Sequence, residues 1–198
     1  VVAAFDTTPD SGKLFLIERF ITELKAAGIW SKLDLLYVGA AHESKAARVN
    51  WVDPTPTANL LEVVGCSFTA DVGFQSSAKA EYLRAPTGYR WDNLTYFSVS
   101  SGHCGAYIMN NTAGDTGLDF GSESGSNGRD IIQFRTGSNT WSTRIGSGST
   151  RVTLQSSITS TLGHWITTKV NATDYEGYRD GVSVGTGSTG YVGTFGFR

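Results

Sequence analysis

The chain has 198 residues, 17% of them charged and 39% hydrophobic, with a net charge of -2. That length is enough for one domain with a real core, or a domain with an appendage. The near-neutral balance gives no basic footprint for nucleic acid, and no apolar run approaches the roughly 18 residues that insert across a bilayer.

The chain starts Val-Val-Ala-Ala, with no basic segment ahead of an apolar one, so no signal peptide is expected. The stretch TTPDSGKLFLIERFITELKAAG spaces Leu14, Ile17, Ile21 and Leu24 by threes and fours, which predicts a helix with one apolar face. Phe15 and Phe20 widen that face. Asp10 or Ser11 is placed to cap its start, and Gly28 to end it. Two readings stand for this helix. Its seam packs on its own chain, or it joins other copies in a three-helix bundle. At about two heptads it is too short to stand alone.

WSKLDLLYVGAAHESKAARVNWVDP follows. Ser31 is placed to cap a short helix carrying Leu33, Leu36 and Tyr37, and a second short helix is expected from about Glu43 to Asn50. Pro54 and Pro56 then punctuate the chain.

From about Leu60 the pattern changes to alternation with a period near two. The runs are LTYFSVSSG, GAYIMNN, RDIIQFRTG, TWSTRIG, RVTLQSS, HWITTKVNA, YEGYRD, GVSVGT and YVGTFGFR. Gly, Ser, Asn or Asp separates nearly all of them, and the 24 glycines suit tight turns. Many short strands so spaced predict an antiparallel sandwich whose aromatic and branched residues fill the space between two sheets. There is no Walker loop and no parallel βαβ unit, which argues against a nucleotide enzyme.

The stretch TDYEGYRDGVSVGT sets Asp174 and Glu176 on one face of a strand. Paired carboxylates are the equipment of a glycoside hydrolase. The alternative is a hairpin in which Tyr175 and Tyr178 pack and Asp180-Gly181 forms a type I′ turn, and this is the expectation adopted. No Gly-x-Ser-x-Gly elbow supports a triad around His42, His103 or His164. His103 and Cys104 are adjacent on a strand and so face apart. Cys66 and Cys104 belong to no Cys/His cluster. They are expected as two buried thiols, with a disulfide the alternative if they meet in space. The glycine-rich stretch NNTAGDTGLDFGSESGSNGRD offers Asp115, Asp119, Glu123 and Asp130 to a hard cation. No EF-hand spacing is present and solvated loop acids are the commoner explanation, so no metal, cofactor or catalytic residue is expected. Tyr89, Trp91 and Trp141 lie near turns, in TGYRWDN and GSNTWST. They are the candidate glycan-contact residues, because an exposed ring stacks on the apolar C–H face of a sugar. The competing role for each is core filling.

GIWSKLDLLYVGAAHESKAARVNWVDP resembles the helical lead-in of phage and prophage structural proteins, and FTADVGFQSSAKAEYL the segment that follows it there. HWITTKVNATDYEGYRDGVSVGT resembles the late hairpin of concanavalin A-like (laminin-G-like) jelly rolls. The resemblance covers roughly residues 12–198 and implies a helical N-terminal region (1–56), oligomerising or connecting, followed by a mainly β, antiparallel jelly-roll β-sandwich (57–198). Its last run, YVGTFGFR, would continue into a further strand in such proteins, so the expectation is that either the ordered region ends here or the sandwich lacks its final strand. The implied protein is a tail-fibre, tail-spike or head-fibre component of a virion. It is non-enzymatic and homotrimeric by analogy with fibres. Its partners are other virion proteins and a host-surface glycan, with no nucleic acid and no membrane insertion. Two alternatives remain: a glycan-depolymerising tailspike enzyme, and a cellular carbohydrate-binding adhesion module.

Overall fold

A computed structural model describes residues 1–54, 61–75, 82–84, 95–96, 101–109, 119–124, 128–133, 139–144 and 152–188. The chain divides into two compact units, Val1–Tyr89 and Arg90–Arg198. Antiparallel strands dominate, helices are few, and among the described residues no helix is long and apolar enough to cross a membrane.

The first unit opens with a 3-10 turn at Val2–Ala4 and then helix α1 (Ser11–Ala26). The Asp10 carboxylate caps α1 by accepting the Lys13 N–H at 2.9 Å, a bond of about 1 kcal/mol in such positions. At the other end Gly28 takes a positive φ of 66°. The Gly28 N–H then reaches the Lys25 carbonyl, and the Ile29 N–H the Leu24 carbonyl. This paired closure satisfies carbonyls that the last helical turn leaves orphaned. Leu14, Ile17, Ile21 and Leu24 are half-buried, whereas Phe15 and Leu16 are each 61% exposed.

The expected helix over Leu33–Tyr37 does not form. Ser31 lies inside a 3-10 turn, Trp30–Lys32, and Leu33 is already extended. The cause is a contact from further along the chain. Asn50, wholly buried, accepts the Leu36 N–H at 3.0 Å and the Val52 N–H at 3.1 Å, and donates to the Asp34 carbonyl at 3.3 Å. The Trp51 N–H also reaches the Leu36 carbonyl. These bonds satisfy the backbone of 34–36 from outside, so a helix there has nothing to add. Helix α2 (Ser44–Arg48) is shorter than expected, because Val49 is extended. It buries Ala46 and Ala47 in a small core with Ala41, against which Phe5, Phe68 and Phe74 pack. Glu43 precedes α2 but makes no side-chain cap. Its carboxylate instead accepts the Asp6 N–H, the Thr7 N–H and the Thr7 hydroxyl at 2.7, 3.1 and 2.6 Å, which ties the N-terminal segment to this core. Strands β1 (Glu62–Val64), β2 (Ser67–Thr69), β3 (Gly73–Gln75) and β4 (Tyr82–Arg84) pair antiparallel as β1 with β4 and β2 with β3.

The second unit carries β5 (Gly102–Ile108), β6 (Asp119–Ser124), β7 (Gly128–Gln133), β8 (Trp141–Arg144), β9 (Val152–Gln155), β10 (Gly163–Lys169), β11 (Asp174–Arg179) and β12 (Val182–Ser188). They form two four-stranded sheets, ordered β12-β11-β10-β5 and β6-β7-β8-β9, with every described pairing antiparallel. Most of the strand runs read from the sequence fall on these elements. LTYFSVSSG lies largely outside the described residues, and YVGTFGFR wholly so.

One core joins the two sheets. It contains Trp141 from β8, Val152 and Leu154 from β9, Trp165 from β10, Tyr175 from β11 and Ile108 from β5, with Ile158 beside them. The Trp141 and Trp165 rings meet edge to face at 5.0 Å and 83°, the arrangement their quadrupoles favour. Trp165 Nε1 donates to the Thr161 carbonyl at 2.7 Å, so the indole is buried with its polar atom satisfied. Alternation does the sorting. On β10, Trp165, Thr167 and Lys169 are buried while His164, Ile166 and Thr168 face the other way, as a two-residue period requires. The Lys169 ammonium lies over the Tyr175 ring at 5.4 Å.

β11 and β12 are joined by Asp180 and Gly181, both at positive φ (50° and 81°). That is the type I′ hairpin the sequence predicts, with a twist matched to the flanking strands. The Asp180 side chain adds a second role: it accepts the His164 N–H at 2.7 Å and so fastens the turn to the start of β10. A register shift at Gly177/Tyr178 is a bulge that no sequence signal announced.

Candidate functional site

Of the three candidate glycan-contact aromatics, one lies within the described residues. Tyr89 and Trp91 lie outside the described residues. Trp141 is wholly buried. Its ring is packed on Trp165 and over Gly177, so it has no face to offer a sugar. Trp141 begins a strand and its parity points inward, which is the core-filling role weighed against glycan contact in the sequence.

The opposite side of the sheet β12-β11-β10-β5 is where polar and aromatic groups gather. Cross-strand register lays them out in rows. Tyr107 on β5 stands beside His164 on β10. Gly105, Ile166, Tyr178 and Ser183 form the next row, and His103, Thr168, Glu176 and Thr186 the one after. Asp174 opposite Ser188 closes the sequence. Tyr107 is 70% exposed. Gly105, between Tyr107 and His103, is exposed; a Cβ there would stand 2.8 Å from the Trp165 carbonyl oxygen, 3.1 Å from Ile166 Cγ1 and 3.6 Å from His164 Nε2.

The carboxylates on this face are held by neutral donors. Glu176 accepts the Ser183 hydroxyl at 2.6 Å and the Tyr178 hydroxyl. Both bonds, Ser183 foremost, favour the charged form and pull its pKa below the usual range. Asp174 accepts the Ser188 hydroxyl at 2.6 Å, together with Asn171 and Thr173, and is lowered for the same reason, Ser188 contributing most. The Tyr178 phenol is pushed up by its bond to Glu176. A glycosidase needs its two carboxyls tuned apart, with the acid raised. Here both shift down together, which suits a pair of fixed acceptors.

The other chemistry candidates separate. His103 is exposed while Cys104 packs against the core from the opposite face, as alternation predicted. Neither cysteine is in a disulfide, and both are half-buried. Asp119 and Glu123 belong to strand β6, where the sequence reading had a loop, and Asp130 to its partner β7, the run RDIIQFRTG; Asp115 lies outside the described residues. Among the described residues no cluster of three or more His, Cys, Asp or Glu could hold a metal ion.

Tyr107 was missed in the sequence although a signal for it existed. In GHCGAYI the small or apolar residues Cys104, Ala106 and Ile108 share one parity. That parity is the inward one, so Tyr107 had to point out.

No family model, no curated protein and no solved structure matches the chain.

Proposed function

We propose that the chain is a non-enzymatic virion component of the phage tail-fibre or head-fibre type. In this reading the Arg90–Arg198 unit is a concanavalin A-like jelly roll displayed for attachment to a host-surface glycan, and the helical segment ahead of it serves oligomerisation. The observation that carries the reading is the outward face of β12-β11-β10-β5. Its Tyr107 is 70% exposed and lies on a regular strand in a field of hydroxyls and fixed acceptors. Aromatic rings beside such polar groups are what a hydroxyl-rich ligand with apolar C–H faces requires. Two antiparallel sheets sharing one core are compatible with a jelly roll. The exposed Phe15 and Leu16 on α1 support association with other copies, for which a homotrimer is the fibre-like choice. The paired, lowered carboxylates Asp174 and Glu176 support binding over hydrolysis.

The test is a glycan array probed with the full chain, followed by chromatography of any bound glycan after prolonged incubation. Binding without shortening of the glycan is the expected result. Released oligosaccharides would replace the reading with a depolymerase, and an array without binding would remove the attachment role. Light scattering should give three times the 21.2 kDa chain mass.

A further inference from the structure

We propose that the outward face of β5, β10 and β11 is a binding platform for an uncharged oligosaccharide, with Tyr107 as its stacking ring and the Tyr178–Glu176–Ser183 group as its polar anchor. This rests on the attachment reading above and deepens it by naming the site and the ligand class.

Placement comes first. Tyr107 is placed by the backbone ladder between β5 and β10, where it lies opposite His164, so the face of the sheet from which its ring projects is set before any ligand arrives. Openness comes next. Gly105 is exposed and presents no side chain beside Ile166 and His164, leaving an open stretch of strand in the row next to the Tyr107 ring. An open aromatic and aliphatic surface complements the C–H face of a pyranose. Extent then sets the ligand's size. Tyr107 and Tyr178 are two strands and one row apart, about 12 Å on strand spacings. A ligand touching both is therefore an oligosaccharide and not a single sugar.

The polar groups set its charge. The Tyr178 and Ser183 hydroxyls are both committed to Glu176, so that carboxylate is fixed in place with acceptor capacity remaining for ligand hydroxyls. Asp174 lies on the same face, held by Ser188. Among the described residues no Lys or Arg points outward from these four strands. Arg179 turns the other way, its guanidinium 4.6 Å from the Trp165 ring and bonded to the Leu162 carbonyl. A phosphate- or uronate-bearing glycan would meet two carboxylates and no compensating cation, whereas a neutral one meets acceptors for its hydroxyls.

The test is calorimetric titration of the full chain with maltohexaose, mannohexaose and a galactan hexamer, with a hyaluronan hexamer as the anionic comparison. At least one neutral hexamer should bind and hyaluronan should not. Tyr107→Ala should weaken that binding at least tenfold, while Tyr107→Phe stays within about threefold because the ring is kept. Matching melting temperatures for the variants would place the loss in the site. Unchanged binding by Tyr107→Ala overturns the platform but leaves attachment intact. Hyaluronan binding as tightly as the neutral hexamers overturns the ligand class. If these hexamers all fail while another glycan binds on an array, the platform's ligand is wrong and attachment stands. If no glycan binds in either assay, both fall.

Discussion

Gly177 on β11 lies directly beneath the ring of Trp141 on β8: a Cβ on Gly177 would stand 2.8 Å from Cζ3 and 2.9 Å from Cη2 of that ring. The absence of a side chain at one position of one sheet is what lets the largest side chain of the other sheet sit wholly inside. β9 uses the same device against β12. Side chains at Gly185 and Gly187 would collide with the Leu154 carbonyl and the Val152 side chain respectively.

Two substitutions therefore separate close packing from ordinary burial. Gly177→Ala should destabilise by about 1–3 kcal/mol, the usual cost of overpacking. Gly185→Ala should cost more, because the obstacle is backbone and has no rotamer to escape into. Urea unfolding monitored by tryptophan fluorescence measures both as a lower midpoint at constant slope. Midpoints equal to the parent would mean that the sheets do not approach as described.

Acid should loosen the β11–β12 hairpin through Asp174 and Glu176. Both are lowered in the native state by hydroxyl donors, so the unfolded chain takes up protons first as the pH drops. Their contribution is fully present above the ordinary carboxylate range near pH 4 and is lost as the pH falls through the lowered native values. Carboxyl carbon NMR titration should give both midpoints below that range, and Ser183→Ala should return the Glu176 midpoint toward it. An unshifted Glu176 midpoint in the parent chain would contradict the Ser183 bond.

Cys104 should resist alkylation in the folded protein. Burial pushes its thiol up to about 12, so at pH 8 its thiolate fraction falls roughly a thousandfold below that of an ordinary cysteine. Mass spectrometry after a brief iodoacetamide pulse should find Cys104 unmodified in the native chain and modified in urea. Equal labelling in both states would count against its packing on the core.

The elements that could be read from sequence are those whose causes are local. Asp10 and Gly28 bracket α1 from within a few residues. Asp180-Gly181 defines its hairpin by its own dihedral preferences, and the alternation of β10 needs only its own residues. What was misread or left open depends on distant partners. Leu33–Tyr37 carries helical spacing, but Asn50 and Trp51 claim its backbone. For Trp141 the sequence left sugar contact and core filling both open, and only Gly177 on a distant strand, making room for the ring, decides for the core. The outward face is the clearest case. Tyr107, Ile166 and Tyr178 come from three separated runs, and only the register of β5, β10 and β11 makes them neighbours.

The central claim is that this face recognises a neutral glycan, and amide chemical-shift mapping tests it most directly. ¹⁵N-labelled full chain titrated with the tightest-binding neutral hexamer should show shifts concentrated at residues 103–107, 164–168 and 176–178. The core amides of Val152 and Leu154 should stay in place. Shifts confined to other surfaces, or a spectrum unchanged at saturating ligand, would contradict it.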